Sequence, residues 1–290
     1  MLFTAAAFSL DRNSLVCGAS DGFVDVLAVS EGTSSDPEVV SSLQVSNDMI
    51  TCIRFISQSL VLIGSTEAFY LYRFKESSLE EVYRSVEGIG LGISSCVVMS
   101  SSLVALGLRI CGTVLQFDYV DCKQTGAFKT SLDGIKSLAY ENETLFIGGK
   151  GEGSIYYMNK SSSMMSWTPC DSACEVVDIK SNKNWLVAVL QKPSDMRSLI
   201  AIVCLKAFPL GVSLVECNSF IETTCIVDTL GRAPYLYLAG TGSKVIRCSL
   251  SGEIQDEHTS DIAGFTCIAC HDDLLAFCGV NGVKIKRLGV

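Results

Sequence analysis

Histidine is scarce. Two in 290 residues leave little material for imidazole-based catalysis or a histidine metal site. A basic surplus is missing too: 22 Lys and Arg face 31 Asp and Glu, a net charge of −9. A duplex-binding domain carries a net basic face, so direct nucleic-acid binding is not expected. No apolar run approaches the ~20 residues of a bilayer-spanning helix, so no membrane insertion is expected. The opening stretch lacks a basic n-region and reaches Asp11-Arg12 early, which is unlike a secretory signal. Charged residues are only 18% against 48% apolar, which excludes a disordered chain. What the chain does have is length enough for one domain with a large core, 24 glycines, and 14 cysteines spread through apolar runs. Cysteines so placed read as reduced, buried small hydrophobes of a cytoplasmic or nuclear protein, without disulfides.

A fixed repeat organises the whole chain. Seven segments share the order apolar–small–small–apolar: Thr4-Ala-Ala-Ala-Phe8, Ile50-Thr-Cys-Ile-Arg-Phe55, Ile93-Ser-Ser-Cys-Val-Val98, Ile135-Lys-Ser-Leu-Ala-Tyr140, Cys174-Glu-Val-Val-Asp-Ile179, Thr223-Thr-Cys-Ile-Val227 and Phe265-Thr-Cys-Ile-Ala269. Aligned on Ala6, Cys52, Cys96, Leu138, Val177, Cys225 and Cys267, they recur every 39 to 48 residues, the range of four-stranded propeller blades. An apolar run follows each, ending in glycine at Gly18, Gly64, Gly107, Gly148, Gly240 and Gly279, with Val187-Ala-Val189 in the fifth repeat. Then comes a β-branched or aromatic strand such as Phe23-Val-Asp-Val-Leu27, and in most repeats a more polar one such as Leu79-Glu-Glu-Val-Tyr83. Polar outer strands suit a blade's rim, where an edge must discourage stray pairing.

With Leu15-Val-Cys-Gly-Ala-Ser-Asp-Gly-Phe-Val-Asp-Val26 and the run from Ile50 through Gly64-Ser-Thr-Glu-Ala-Phe69 to Phe74, the sequence resembles the WD-repeat family, over nearly its whole length. It departs from that family in having no Trp-Asp after a third strand and no Gly-His before a first, so the family's buried Asp–His–Ser/Thr–Trp set cannot form. The expected fold is all-β: a single seven-bladed β-propeller of antiparallel sheets, with blades over about 2–46, 49–87, 93–131, 134–169, 174–219, 223–259 and 264–290. The last blade is expected to lack its outer strand, because neither terminus has residues left to supply one. Its Val283-Lys-Ile-Lys-Arg287 strand, made of Val283, Lys284, Ile285, Lys286 and Arg287, then has two readings. A partner adds a strand there, gaining backbone hydrogen bonds, or the lysines simply guard an open edge.

The chemical motifs have plain explanations. Cys267-Ile-Ala-Cys270-His271 has the spacing of covalent haem attachment, but Cys267 falls on the repeat register. A zinc site would need four ligands, and the next close pair, Cys170 and Cys174, lies in another repeat. Gly148-Gly-Lys-Gly-Glu-Gly153 precedes a strand rather than a helix, so it reads as a hairpin turn and not a phosphate loop. His258 and His271 lack a nucleophile motif nearby. Phe69, Tyr70, Tyr72, Tyr156 and Tyr157 read as blade packing. No cofactor is expected, and the resemblance implies a non-catalytic interaction scaffold whose partners are other protein subunits. Candidate rim contacts are Ser20, Asp21, Thr66, Glu67, Arg109, Lys150, Gln191, Asp195 and Asn281. The alternatives are a propeller enzyme using channel groups, of which Arg54, Lys136, Glu175 and Asp178 are visible, or a peptide-recognition module.

Overall fold

The computed structural model describes residues 2–29, 37–85, 92–159, 163–170, 174–192, 194, 196–228, 233–262, 264–280 and 282–288. Among them no helix is long and apolar enough to cross a membrane, and the chain forms seven antiparallel sheets arranged as a seven-bladed propeller. Blade 1 holds β1 (Phe3–Phe8), β2 (Ser14–Ala19), β3 (Phe23–Ala28) and β4 (Glu38–Gln44). Blade 2 holds β5 (Ile50–Ser57), β6 (Leu60–Ser65), β7 (Phe69–Lys75) and β8 (Ser78–Arg84). Blade 3 has β9 (Ile93–Val98), β10 (Leu103–Leu108), β11 (Thr113–Asp118) and β12 (Lys123–Lys129). Blade 4 has β13 (Gly134–Glu141), β14 (Thr144–Lys150), β15 (Ile155–Asn159) and β16 (Met165–Trp167). Blade 5 comprises β17 (Glu175–Asn182), β18 (Trp185–Lys192), β19 (Arg197–Cys204) and β20 (Ser213–Cys217). Blade 6 comprises β21 (Ile221–Val227), β22 (Tyr235–Gly240), β23 (Lys244–Ser249) and β24 (Ile254–Thr259). Blade 7 has β25 (Phe265–His271), β26 (Leu274–Gly279) and β27 (Gly282–Arg287). Within each blade the strands pair in sequence order, and the last sheet has three strands where the others have four.

The core is divided among the blade interfaces. Seven apolar clusters form, and each joins two consecutive blades, including blade 7 to blade 1 through Phe3, Leu15, Leu274 and Cys278. A second strand such as β2 faces a cluster on either side, so every one of its residues is buried. That is why these strands read as unbroken apolar runs, while the rim strands β4, β8 and β12 alternate or stay exposed. Phe69, Tyr70 and Tyr72 are buried between blades. Tyr156 and Tyr157 are half-buried against the clusters of blade 4.

The small–small pair of the repeat has a structural cause. Each inner strand carries a β-bulge at the same place, leaving Thr4, Thr51, Ser94, Lys136, Val177, Glu222 and Thr266 unpaired. The bulged residue or its successor then reaches the next blade. Thr4, Thr51 and Thr266 donate their hydroxyls to the carbonyls of Ile50, Ile93 and Phe3. Ser95, Ser137, Asp178 and Thr223 accept from the N–H groups of Leu138 at 3.1 Å, Ile179 at 3.0 Å, Thr224 at 2.9 Å and Ile268 at 3.3 Å. All seven junctions are thereby stitched, and the last stitch closes the ring. Short polar side chains are needed because a longer one would overshoot a neighbouring backbone.

This bulge corrects the alignment of the repeats. The residues after it are Ala5, Cys52, Ser95, Ser137, Asp178, Thr223 and Cys267, spaced 47, 43, 42, 41, 45 and 44 apart. Ala6, Cys96, Leu138, Val177 and Cys225 are therefore one or two positions out of register, and the true period is more even. The glycine landmark shifts likewise. Gly18, Gly64, Gly107 and Gly148 face the post-bulge residue, but Gly240 and Gly279 lie one step later, opposite Ile221 and Phe265; Val189, Ala239 and Cys278 take the equivalent place. Gly148 and Gly149 belong to β14, so the expected hairpin turn begins only after Lys150.

The landmark glycines make room for the next blade. A Cβ on Gly18 would lie 2.3 Å from Ile50 Cγ2 and 2.6 Å from Ile50 Cβ, and a β-branched side chain cannot swing clear. Gly18→Ala is therefore expected to cost about 2 kcal/mol by overpacking, measured by urea unfolding. Combining it with Ile50→Ala should cost less than the two single losses added together; simple additivity would show that the glycine does not serve Ile50.

Candidate functional site

The outer edge of β27 is the one place among the described strands where a blade ends after its third strand. β27 pairs with β26 from Leu274↔Arg287 to Gly279↔Gly282. Just beyond, the Leu288 N–H donates to the Asp273 carbonyl at 2.7 Å. This fixes the alternation of the ladder: Lys284 and Lys286 turn their N–H and C=O towards β26, and Val283, Ile285 and Arg287 turn theirs outwards. The side chains alternate as well. Val283 and Ile285 pack on the cluster shared with blade 1, so Lys284 and Lys286 face blade 6.

On the blade 6 side lies a cavity of about 310 Å³, lined among others by Val245, His258, Asp261, Phe277 and Lys284. Lys284 Nζ holds both oxygens of Asp261, at 2.8 and 3.0 Å, and this contact keeps the Asp261 carboxyl below its ordinary value. The exposed Lys286 has no carboxylate partner among the described residues. Arg287 Nε is buried without a hydrogen bond and lies 3.7 Å from Asp273. The five-residue edge thus offers three outward backbone pairs and three cations on a chain of net charge −9.

The central channel is a second candidate. Its cavity, about 570 Å³, is lined by the inner strands and contains Arg54, Lys136 and Asp178 as the sequence suggested. Glu175 starts β17 beside Lys136, whose ammonium is pulled down by burial and by Lys150 and Arg109, against Glu175 and Glu222. Lys180, Glu222 and Glu141 also line the channel. They escaped the sequence reading because β17 and β13 run beyond, and β21 begins before, the repeat segments. Asp178 is committed to structure. It accepts from Ser137 Oγ at 3.1 Å, Lys180 Nζ at 2.9 Å and the Thr224 N–H at 2.9 Å. Burial pulls the Lys180 ammonium down, but Asp178 outweighs it and holds the group above its ordinary value.

The Cys267/Cys270/His271 stretch is the strand β25, not a loop. The two thiols point to opposite neighbours. Cys267 joins the blade 1 cluster beside Cys278, whereas Cys270 lies beside Cys225 of blade 6 and reaches the Ile226 carbonyl at 3.5 Å. Side chains on opposite faces of one strand cannot share a metal or a haem.

The rim candidates fall on the connections between second and third strands, or at the strand ends beside them. Each such turn bonds to the segment entering an inner strand: Ser20 N–H to the Leu2 carbonyl, Thr66 to Met49, Arg109 to Gly92, and Lys150 as acceptor from Asp133. Ser20, Asp21, Thr66, Glu67, Arg109 and Lys150 therefore share one face of the disc. Gln191 is different: it lies within β18, and its Nε2 donates to the Ile221 carbonyl at 2.9 Å, so it ties blade 5 to blade 6. Asp195 and Asn281 lie outside the described residues.

No family model matches the chain, and no curated protein matches it. The resemblance to WD repeats stands on the order of strands and turns alone. Its missing buried hydrogen-bond set has a counterpart here in the ring of inner-strand stitches.

Proposed function

We propose that this propeller is a non-catalytic platform for protein interaction, a diverged relative of WD-repeat propellers working in a multi-protein assembly of the cytoplasm or nucleus. On this reading its principal contact is a strand accepted on the outer edge of β27. One observation carries the proposal: among the described residues six sheets have four strands and one has three, and the short sheet presents the outward N–H and C=O groups of Val283, Ile285 and Arg287. Added strands gain affinity from such groups and specificity from alternate side chains. The rim residues Ser20, Asp21, Thr66, Glu67, Arg109 and Lys150 supply a second, polar surface on rigid turns.

Two variants test the edge. A strand fused after Val290 through a short linker would fill it. Ile285→Pro would remove an outward N–H, which edge strands tolerate, together with part of the side chain packed on the cluster shared with blade 1. With the protein purified from its own cells at native abundance, the same partner chain should fall at least about tenfold in both variants, while the fused variant keeps its unfolding midpoint. An unchanged set of partners in both would overturn the proposal.

A further inference from the structure

We infer that the strand taken up by the last blade is acidic on one face: antiparallel to β27, with carboxylates on the face of Lys284 and Lys286 and an apolar residue between them. The inference rests on the edge-capture reading and specifies its partner.

The argument comes from comparing the blades at one register. The post-bulge pairing makes Lys284 equivalent to Asp25, Tyr70, Leu115, Tyr156, Ala201 and Ile246, and Lys286 equivalent to Leu27, Tyr72, Phe117, Met158, Val203 and Cys248. Only the last blade has a cation at either place, and it has one at both. At two of these positions beside a fourth strand the residue directly opposite answers a polar side chain, whereas the Tyr156 hydroxyl meets Ser131 rather than the facing Ser166. Asp25 faces Ser42, which donates to it at 2.6 Å. Tyr72 faces Glu81 and donates to it at 3.1 Å. Three cations elsewhere on third strands meet a carboxylate of their outer strand: Arg73 pairs with Glu80 directly opposite at 3.2 Å, and Arg197 and Lys244 reach Glu216 and Glu257 diagonally at 2.6 and 3.7 Å, whereas Arg247, opposite Asp256, lies over the Tyr235 ring.

By analogy with these pairs, the residues facing Lys284 and Lys286, directly or diagonally opposite, are carboxylates. Lys284 is already shared with Asp261, and Lys286 has no carboxylate among the described residues, so the second site carries the stronger demand. The intervening residue of the strand falls on the side of Val283 and Ile285, which pack on the apolar cluster shared with blade 1, so an apolar residue suits it. Antiparallel direction follows because every paired strand in the seven sheets is antiparallel. Surface ion pairs of this type add little stability, but directly opposed like charges are repelled, so the pairs set register and choice of partner.

The test uses two synthetic peptides of about ten residues, one with a central Val-Glu-Ile-Glu-Val and one with lysines in place of both glutamates. The acidic peptide should bind the intact protein at least about tenfold more tightly, and the preference should shrink as salt rises. In Lys284→Glu/Lys286→Glu protein the preference should reverse. Cross-linking should place the peptide on β27. If both peptides bind the edge alike, strand capture stands and the acidic specification is wrong. If neither binds, although capping the edge still releases the native partner, the specification is again wrong. If neither binds and capping releases nothing, the edge-capture reading itself has failed.

Discussion

Asp178→Ala is expected to destabilise the propeller by about 3 kcal/mol, the lower end of the loss seen when a buried ion pair is broken from one side. Asp178 is 6% exposed, and its carboxylate serves blades 4, 5 and 6 together through Ser137, Lys180 and Thr224. Its removal leaves an ammonium and a buried N–H without their acceptor, while the Ser137 hydroxyl retains the Ile179 carbonyl at 3.3 Å. The loss stays at the lower end because the Lys180 side chain is 40% exposed to the channel and can be hydrated. For a chain of this length the midpoint of thermal unfolding should fall by about 5 °C. Asp178→Asn keeps an acceptor and should lose about half as much. The pH dependence follows from Lys180. Its folded value lies above the ordinary 10.5, so its contribution is present below that pH and is lost as pH climbs through the folded value. The wild type should therefore show an alkaline loss of stability that Asp178→Ala lacks. A cost below about 1 kcal/mol would mean that the three contacts do not hold the blades together.

The propeller was legible in the sequence because every blade needs the same devices. A buried second strand demands an apolar run, close approach of the next blade demands glycine, and the inter-blade stitch demands a short side chain. What the sequence hid was register. A bulge adds one residue without changing composition, so Val177 reads as the equivalent of Cys52 although Asp178 takes that place. Gly240 and Gly279 mimic the landmark glycine one step late for the same reason: they close against the first residue of their own inner strand rather than against the next blade. A Cβ on Gly240 would lie 1.8 Å from the Phe220 carbonyl oxygen. Gln191 looked like a loop residue because its run ends in polar residues, yet the strand continues through it.

The edge was the more legible of the two candidate sites. Alternation in Val283-Lys284-Ile285-Lys286 already assigns the lysines to one face and the aliphatic residues to the other. Which face was which, and that the six other blades carry no cation at either lysine's position, required the pairing of β26 with β27. The channel was less legible, because its charges sit at strand ends and bulges, where the repeat pattern is weakest. Glu222 is a bulged residue, and Lys180 lies past the end of the repeated segment. The same geometry ties the channel's most buried carboxylate to the architecture, because Asp178 bridges three blades.

Phe69→Ala should be the most damaging single truncation, costing about 4 kcal/mol. Phe69 is 1% exposed at the junction of blades 2 and 3, with its ring centroid 4.8 Å from Phe117 in an edge-on contact and 5.8 Å from Tyr83. A void there would be walled by two stiff sheets and could collapse only in part. Phe69→Leu, which keeps much of the volume, should cost no more than about 1.5 kcal/mol. A double-mutant cycle with Phe117→Ala should show coupling of about 1 kcal/mol from the ring pair. The mode of unfolding is as informative as its size. The closed set of stitches, with Thr266 bonded to the Phe3 carbonyl, makes each junction depend on the other six. Loosening one junction should therefore lower a single cooperative transition. If amide exchange instead accelerated only in blades 2 and 3 while the rest stayed protected, the blades would be independent units stacked in a circle and the stitches would carry little of the ring's cooperativity.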